Sequence, residues 1–193
     1  MKATKILTLC VVHNNSHVLL GLKKRGFGEG RWNGFGGKVQ GDESIKEAAL
    51  RELEEEAGIK LLDIKKRGVL TFDLPTEENL LEVHIFSGSN FEGEPEETEE
   101  MAPKWFSHHE VPFNQMWPDD EYWLPLLLKG KNFCGTIYPP SLRCPSELRK
   151  DFAPDLPAGR QTKPGDEDTP IERRGELHFA DQNTIIKHDI KEV

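Results

Sequence analysis

The chain is 193 residues long, which suits one domain with some length to spare. Hydrophobic residues at 36% and charged residues at 31% describe a soluble globular protein, and no apolar run approaches the roughly 20 residues of a membrane span. A formal net charge of -9 argues against gripping a nucleic-acid polymer; a small anionic substrate stays open if Lys23, Lys24, Arg25, Lys38 and a bound metal reverse the charge locally.

The apolar start ILTLCVV is short and runs into HNNS with no small-residue cleavage site, so it reads as a buried strand rather than a secretory signal. With HVLLGLKK it forms a hairpin, turned by Asn14, Asn15 and Ser16. The next stretch, RGFGEGRWNGFGGKVQGDE, is too rich in glycine for a regular element and suits a loop whose backbone closely approaches a ligand. From Glu43 the run ESIKEAALRELEEEAGI sets Ile45, Ala48, Ala49, Leu53 and Ala57 on one face and stops at Gly58, which predicts a helix. KKRGVLTFDLP and LLEVHIFSGS read as two strands joined by TEEN, and the acidic EGEPEETEE as a loop. DDEYWLPLLLKG predicts a second helix capped by Asp119 or Asp120, with Pro125 expected to kink or shorten it. KNFCG and ELHFADQNTIIKHDIKEV return to strand character, but Thr136 to Gly175 is rich in proline and charge and reads as a disordered insertion. Cys10, Cys134 and Cys144 are odd in number and scattered, which predicts reduced thiols in an intracellular protein.

Within the first helix, RELEEEAG crowds four carboxylates into five consecutive positions. Glu52 and Glu56 are one turn apart and repel by roughly 0.2–0.5 kcal/mol unless a cation relieves them. Glu52, Glu55 and Glu56, at i, i+3 and i+4, project from one side, and hard carboxylate oxygens suit Mg²⁺, which also takes substrate phosphate oxygens. Arg51 is placed to pair with a neighbouring glutamate and hold its rotamer. A solvated acidic face is the ordinary reading of an isolated glutamate cluster. With the adjoining glycine loop, the spacing Gly37, Glu43, Arg51, Glu52, Leu53, Glu55, Glu56, Gly58, Ile59 resembles a known family motif, and that resemblance implies a metal-dependent phosphate site instead.

That spacing fills every specified place of the Nudix box. The chain further resembles the animal MutT-homologue branch of the Nudix superfamily in LLGLKKRGFGEGRWNGFGGKVQ, EMAPKWF, VPF and MWPDDEYWLPLLL. The similarity runs from about Lys5 to about Gly135 and resumes from about Leu177. It implies an α/β fold, a mixed sheet sandwiched between helices, in a single domain over 1–193 interrupted at 136–175. It also implies hydrolysis of oxidised purine nucleoside triphosphates, such as 8-oxo-dGTP and 2-hydroxy-dATP, to monophosphate and pyrophosphate. Position by position, it places Mg²⁺ on Glu52, Glu56, Glu100 and the carbonyl of Gly36, with Glu55 joining the metal set, Glu43 in support and Arg51 beside them. Lys23 would face the phosphates. Phe27, Asn33, Phe72, Met101 and Trp117 would form the base pocket, with Thr8 and Gly37 nearby and Asp119 and Asp120 at its edge. Several of these residues also have plainer readings: Phe72 and Met101 as core, Asp119 as a helix cap, Asn33 as a turn residue.

The resemblance is not complete. Leu74 and Leu81 stand where it leads us to expect Phe and Met, and the segment Thr136 to Gly175 has no counterpart. Two alternatives stay open: the same chemistry on an undamaged nucleotide, a cap structure or ADP-ribose, and a nucleotide-binding protein without turnover. We expect a monomer in the cytoplasm, with nucleus and mitochondrion as further locations, and a small nucleotide as its partner.

Overall fold

A computed structural model describes residues 2–73, 78–138 and 187–193. Among the described residues ten strands and two α-helices follow in order, with a short 3-10 turn at Phe113–Gln115: β1 (Thr4–His13), β2 (His17–Lys23), β3 (Trp32–Asn33), α1 (Ile45–Ala57), β4 (Lys60–Leu61), β5 (Lys65–Phe72), β6 (Leu80–Gly88), β7 (Phe91–Glu92), β8 (Met101–Ser107), α2 (Asp120–Leu128), β9 (Phe133–Tyr138) and β10 (Lys187–Glu192). The main sheet runs β10-β9-β5-β6-β1-β2-β3, with β8 on β2; β4 and β7 pair separately. It is mixed, since β1 lies parallel to β6 and β5 parallel to β9 while its other pairs are antiparallel. Among the described residues no helix is long and apolar enough to cross a membrane.

Each face of the sheet carries one helix and its own core. On one side Ala49, Leu53 and Ala57 of α1 pack with Cys10, Val12, Leu19 and Phe35. Leu53 is fully buried, worth roughly 1.5–3 kcal/mol of hydrophobic stabilisation. On the other side Trp123, Leu124 and Leu127 of α2 pack with Val11, Leu20, Leu70, Ile85 and Phe133. This is the expected sandwich.

The first hairpin forms as expected: Asn14 Oδ1 accepts the backbone N–H groups of Ser16 and His17 at 2.9 and 2.8 Å, which closes the turn. Helix α1 begins two residues later than the Glu43 start, because Ser44 and Glu47 make a reciprocal capping box. Glu43 thereby stays outside the helix, where its carboxylate can reach Arg51. Gly58 ends α1 as expected, at φ 69°. Helix α2 runs through Pro125, but Asp119, at its N-cap, makes no side-chain cap bond. One strand was not expected, and one further expectation needs correction. Strand β8 escaped the sequence reading because Pro103 interrupts it; proline is tolerated there because β8 is a sheet edge. The insertion was expected to intrude at Thr136, yet Thr136, Ile137 and Tyr138 complete β9, pairing with Asp189, His188 and Lys187 of β10. Their inclusion has a physical cause, since Ile137 is buried in the core beneath α2. The rest of that segment, and Leu74, Leu177 and Phe179, lie outside the described residues.

Candidate active site

One cavity of about 680 Å³ opens between the glycine loop, α1, α2 and the sheet. Every residue expected to touch metal or nucleotide lines it; Arg51 and Glu43 stand just behind its acidic wall. One end is acidic and the other combines aromatic rings with two aspartates.

The acidic end is assembled by strand register. Lys23 closes β2 opposite Met101, and the Lys24 N–H donates to the Glu100 carbonyl at 2.8 Å, so Lys23 and Glu100 arrive side by side. The Lys23 ammonium donates to Glu56 Oε1 at 2.8 Å and to Glu100 Oε1 at 2.6 Å. Glu56 Oε2 also accepts the Gly36 N–H at 2.8 Å. Burial lifts the pKa of Glu56 above the ordinary glutamate value, against the pull of Lys23 and the Gly36 N–H. Burial would lower that of Lys23, but its hydrogen bonds to Glu100 and Glu56 outweigh this and keep it raised. The hydrogen bond from Lys23 lowers that of Glu100.

Behind this pair, Arg51 answers the crowding of carboxylates. Its Nη2 and Nε grip Glu43 at 2.7 and 3.0 Å, while Nη1 donates to Glu52 at 3.0 Å and to Glu55 at 3.1 Å. The guanidinium holds Glu43 at a pKa of about 2 and is itself shifted upward by that partner. Gly37 belongs here because a Cβ at that position would meet Glu52 Oε1 at 2.5 Å. Among the described residues no three acidic or imidazole side chains already converge as a ready-made cage. The carboxylates are instead engaged by the site's own cations.

At the other end, Phe27 is 74% exposed and stacks on Trp117 with ring centroids 5.0 Å apart. Asn33 sits on β3, and its Oδ1 accepts the Gly34 N–H at 2.9 Å, which orients the amide. Asp119 Oδ2 accepts the Trp123 indole N–H at 3.1 Å, and Asp120 Oδ2 accepts the Trp117 backbone N–H at 3.0 Å. Both aspartates are buried. Burial raises Asp119 to about 6, and burial together with the charge of Asp119 pushes Asp120 well above the ordinary value. Adjacent carboxyls in so dry a place favour sharing one proton, which makes one a donor and the other an acceptor. Thr8 Oγ1, buried on the same cavity wall, has no hydrogen-bond partner.

The floor between the two ends is apolar, with Phe72, Leu81 and buried Met101 among its residues. Sequence reasoning missed Trp123, Arg31 and Ile137 as parts of this cavity. Trp123 was findable, since it stands four residues after Asp119 on a predicted helix; Ile137 was not, because it lay in the segment read as an insertion.

Acidic helix, glycine loop and mixed sheet together define a phosphate-processing hydrolytic site on a Nudix-type α/β fold, and the chain belongs to the Nudix family: the NUDIX domain model matches residues 4–127. It is 50% identical over 135 residues to the oxidized purine nucleoside triphosphate hydrolase of Mus musculus, covering 70% of this chain and 86% of that protein. It is 52% identical over 135 residues, with the same coverage, to the protein of that name from Danio rerio. Among solved structures, the mutator MutT protein of Bacillus halodurans superposes with a TM-score of 0.62 at 27% identity, covering 70% of this chain and 90% of that one.

Proposed function

We propose that this Nudix hydrolase cleaves oxidised purine nucleoside triphosphates, such as 8-oxo-dGTP and 2-hydroxy-dATP, to the monophosphate and pyrophosphate with Mg²⁺, acting as a monomer in the cytoplasm to cleanse the nucleotide pool. The observation that carries this reading is the pairing, in one cavity, of an acidic end with two buried aspartates beside an aromatic wall. The names of the two vertebrate relatives support the same substrate class.

The acidic end suits a hard divalent cation, because the Lys23 ammonium already stands between Glu56 and Glu100 as a cationic occupant. Glu52, Glu55, Glu56, Glu100 and the Gly36 carbonyl are the donors that would hold it. When bound, such an ion stabilises charge developing on phosphorus and lowers the pKa of a coordinated water. The chain's own residues do the rest. Arg51 holds Glu52 and Glu55 in place, and Lys23 turns from the carboxylates to the phosphate oxygens. Phe27 and Trp117 flank the base. Of the aspartate pair, the protonated member donates to a purine carbonyl while the ionised one accepts from a ring N–H. Ordinary guanine carries one such pair, its O6 carbonyl and N1–H, and oxidation at C8 adds a second, the C8 carbonyl and N7–H; discrimination follows where the site as a whole meets that new edge.

The test is pyrophosphate release from 8-oxo-dGTP and from dGTP, with Mg²⁺ and with chelator. The reading requires turnover that depends on the cation and a clear preference for the oxidised base. Equal rates on the two nucleotides would overturn the substrate assignment, and undiminished turnover in chelator would overturn the metal requirement.

A further inference from the structure

Arg31 lies in the glycine loop, and two contacts of its guanidinium lead to one place. Its Nη1 donates to the Met116 carbonyl at 2.8 Å, and its guanidinium carbon lies 4.6 Å from the centroid of the Trp117 ring. The Met116 carbonyl and the Trp117 N–H belong to a single peptide group. Its N–H pole donates to Asp120 Oδ2 at 3.0 Å. Arg31 and Asp120 therefore grip opposite poles of one amide, and a cation on the carbonyl polarises the N–H toward the carboxyl.

The loop that carries Arg31 is itself tied down. The Arg31 N–H donates to the Gly28 carbonyl at 3.0 Å, and the Arg31 carbonyl accepts the Lys23 N–H at 2.9 Å. The same turn brings Phe27 onto Trp117 and packs Gly28 beneath it. Gly28 has φ 84°, and a Cβ there would come within 3.1 Å of Trp117 Cζ2. One loop thus sets the indole with a ring, a bare backbone and a guanidinium. Lysine could keep the charge, but not the flat, forked contact with both ring and carbonyl.

We propose that Arg31 is a positioning residue that sets base specificity: by holding the 116–117 peptide and the Trp117 ring, it aims Asp120 at the base. The inference rests on the nucleotide reading given above, and its test is built to separate the two. In Arg31→Met, KM for 8-oxo-dGTP rises roughly 3- to 30-fold, kcat changes far less, and the preference for the oxidised base over dGTP shrinks. Arg31→Lys recovers part of that loss. A residue needed only for folding would shift both nucleotides by one factor, and that result overturns the proposal. A second measurement needs no turnover. The emission of Trp117, isolated by subtracting Trp117→Phe spectra in wild-type and Arg31→Met backgrounds, shifts when the guanidinium is removed. Should the wild type hydrolyse neither nucleotide, the substrate reading fails while this spectrum still reports on Arg31. Unchanged Trp117 emission overturns the positioning role. If Arg31→Met does not fold, Arg31→Lys carries both measurements with the same expected signs.

Discussion

Lys23 Nζ lies 2.8 Å from Glu56 Oε1, joining the end of β2 to the last turn of α1 across 33 residues of sequence. The two side chains are only 15% and 4% exposed, so the pair sits where screening by water is weak. Glu56 is thus a buried carboxylate neutralised by an ammonium, the arrangement that the proposed metal site would have to replace.

Replacing that charge tests the assignment. Glu56→Gln nearly preserves shape and leaves Lys23 paired with Glu100. We expect kcat to fall at least ~100-fold while nucleotide binding is largely retained. Single-turnover rates together with equilibrium binding of 8-oxo-dGTP check this, and near-normal turnover at saturating Mg²⁺ would remove Glu56 from the metal set.

Recognition is separable from chemistry. Asn33→Ala and Asp119→Ala each leave a polar edge of an oxidised base without its partner, at ~1–3 kcal/mol, or roughly 5- to 150-fold in affinity. Metal affinity should hardly move. Binding titrations with 8-oxo-dGTP and dGTP decide it: equal losses on both nucleotides would place base recognition elsewhere.

Stability should depend on pH through Asp119. Burial raises its folded pKa from 3.8 to about 6, so the folded protein holds this proton more tightly than the unfolded chain. The contribution is complete below about pH 4 and is lost as pH rises through about 6. Asp120, raised also by burial, acts with the same sign. Glu43, held at about 2, acts with the opposite sign but below this window. Urea unfolding of wild type and Asp119→Asn between pH 4.5 and 7.5 should show stability falling with pH in the wild type and a flatter profile in the variant. Parallel profiles would contradict it.

Tyr138 and Lys187 are register partners at the open end of the β9–β10 pair. Antiparallel strands meeting in this way need only a two-residue turn. A protein with 139–186 replaced by Asn-Gly should therefore fold and keep its activity, provided Thr136, Ile137 and Tyr138 are retained. Thermal melts and pyrophosphate release measure both. Loss of folding would mean that the removed residues pack against the domain.

The sequence displayed the acidic end of the site more fully than the base end, for a physical reason. Glu52, Glu55, Glu56 and Arg51 lie on one helix, where spacing along the chain is spacing in space. The pairing of Lys23 with Glu100 depends on the register of β2 against β8, a strand that Pro103 conceals. Arg31 was invisible for the same kind of reason, since its partners at Met116 and Trp117 are 85 residues away or more and no local pattern announces them. Asp119 was legible as a residue of the pocket, but the reading of its side chain as a helix cap fails, because Trp123 captures its carboxylate one turn along α2.

The cavity takes its acidic wall from α1 and its aspartates from α2, and these helices belong to cores on opposite faces of the sheet. Turnover consequently requires both hydrophobic layers to be in register at the same moment. Damage to either, even far from the nucleotide, would misalign phosphorus and base relative to each other, so the reaction itself works as a gauge of whether the two halves of the molecule are correctly joined.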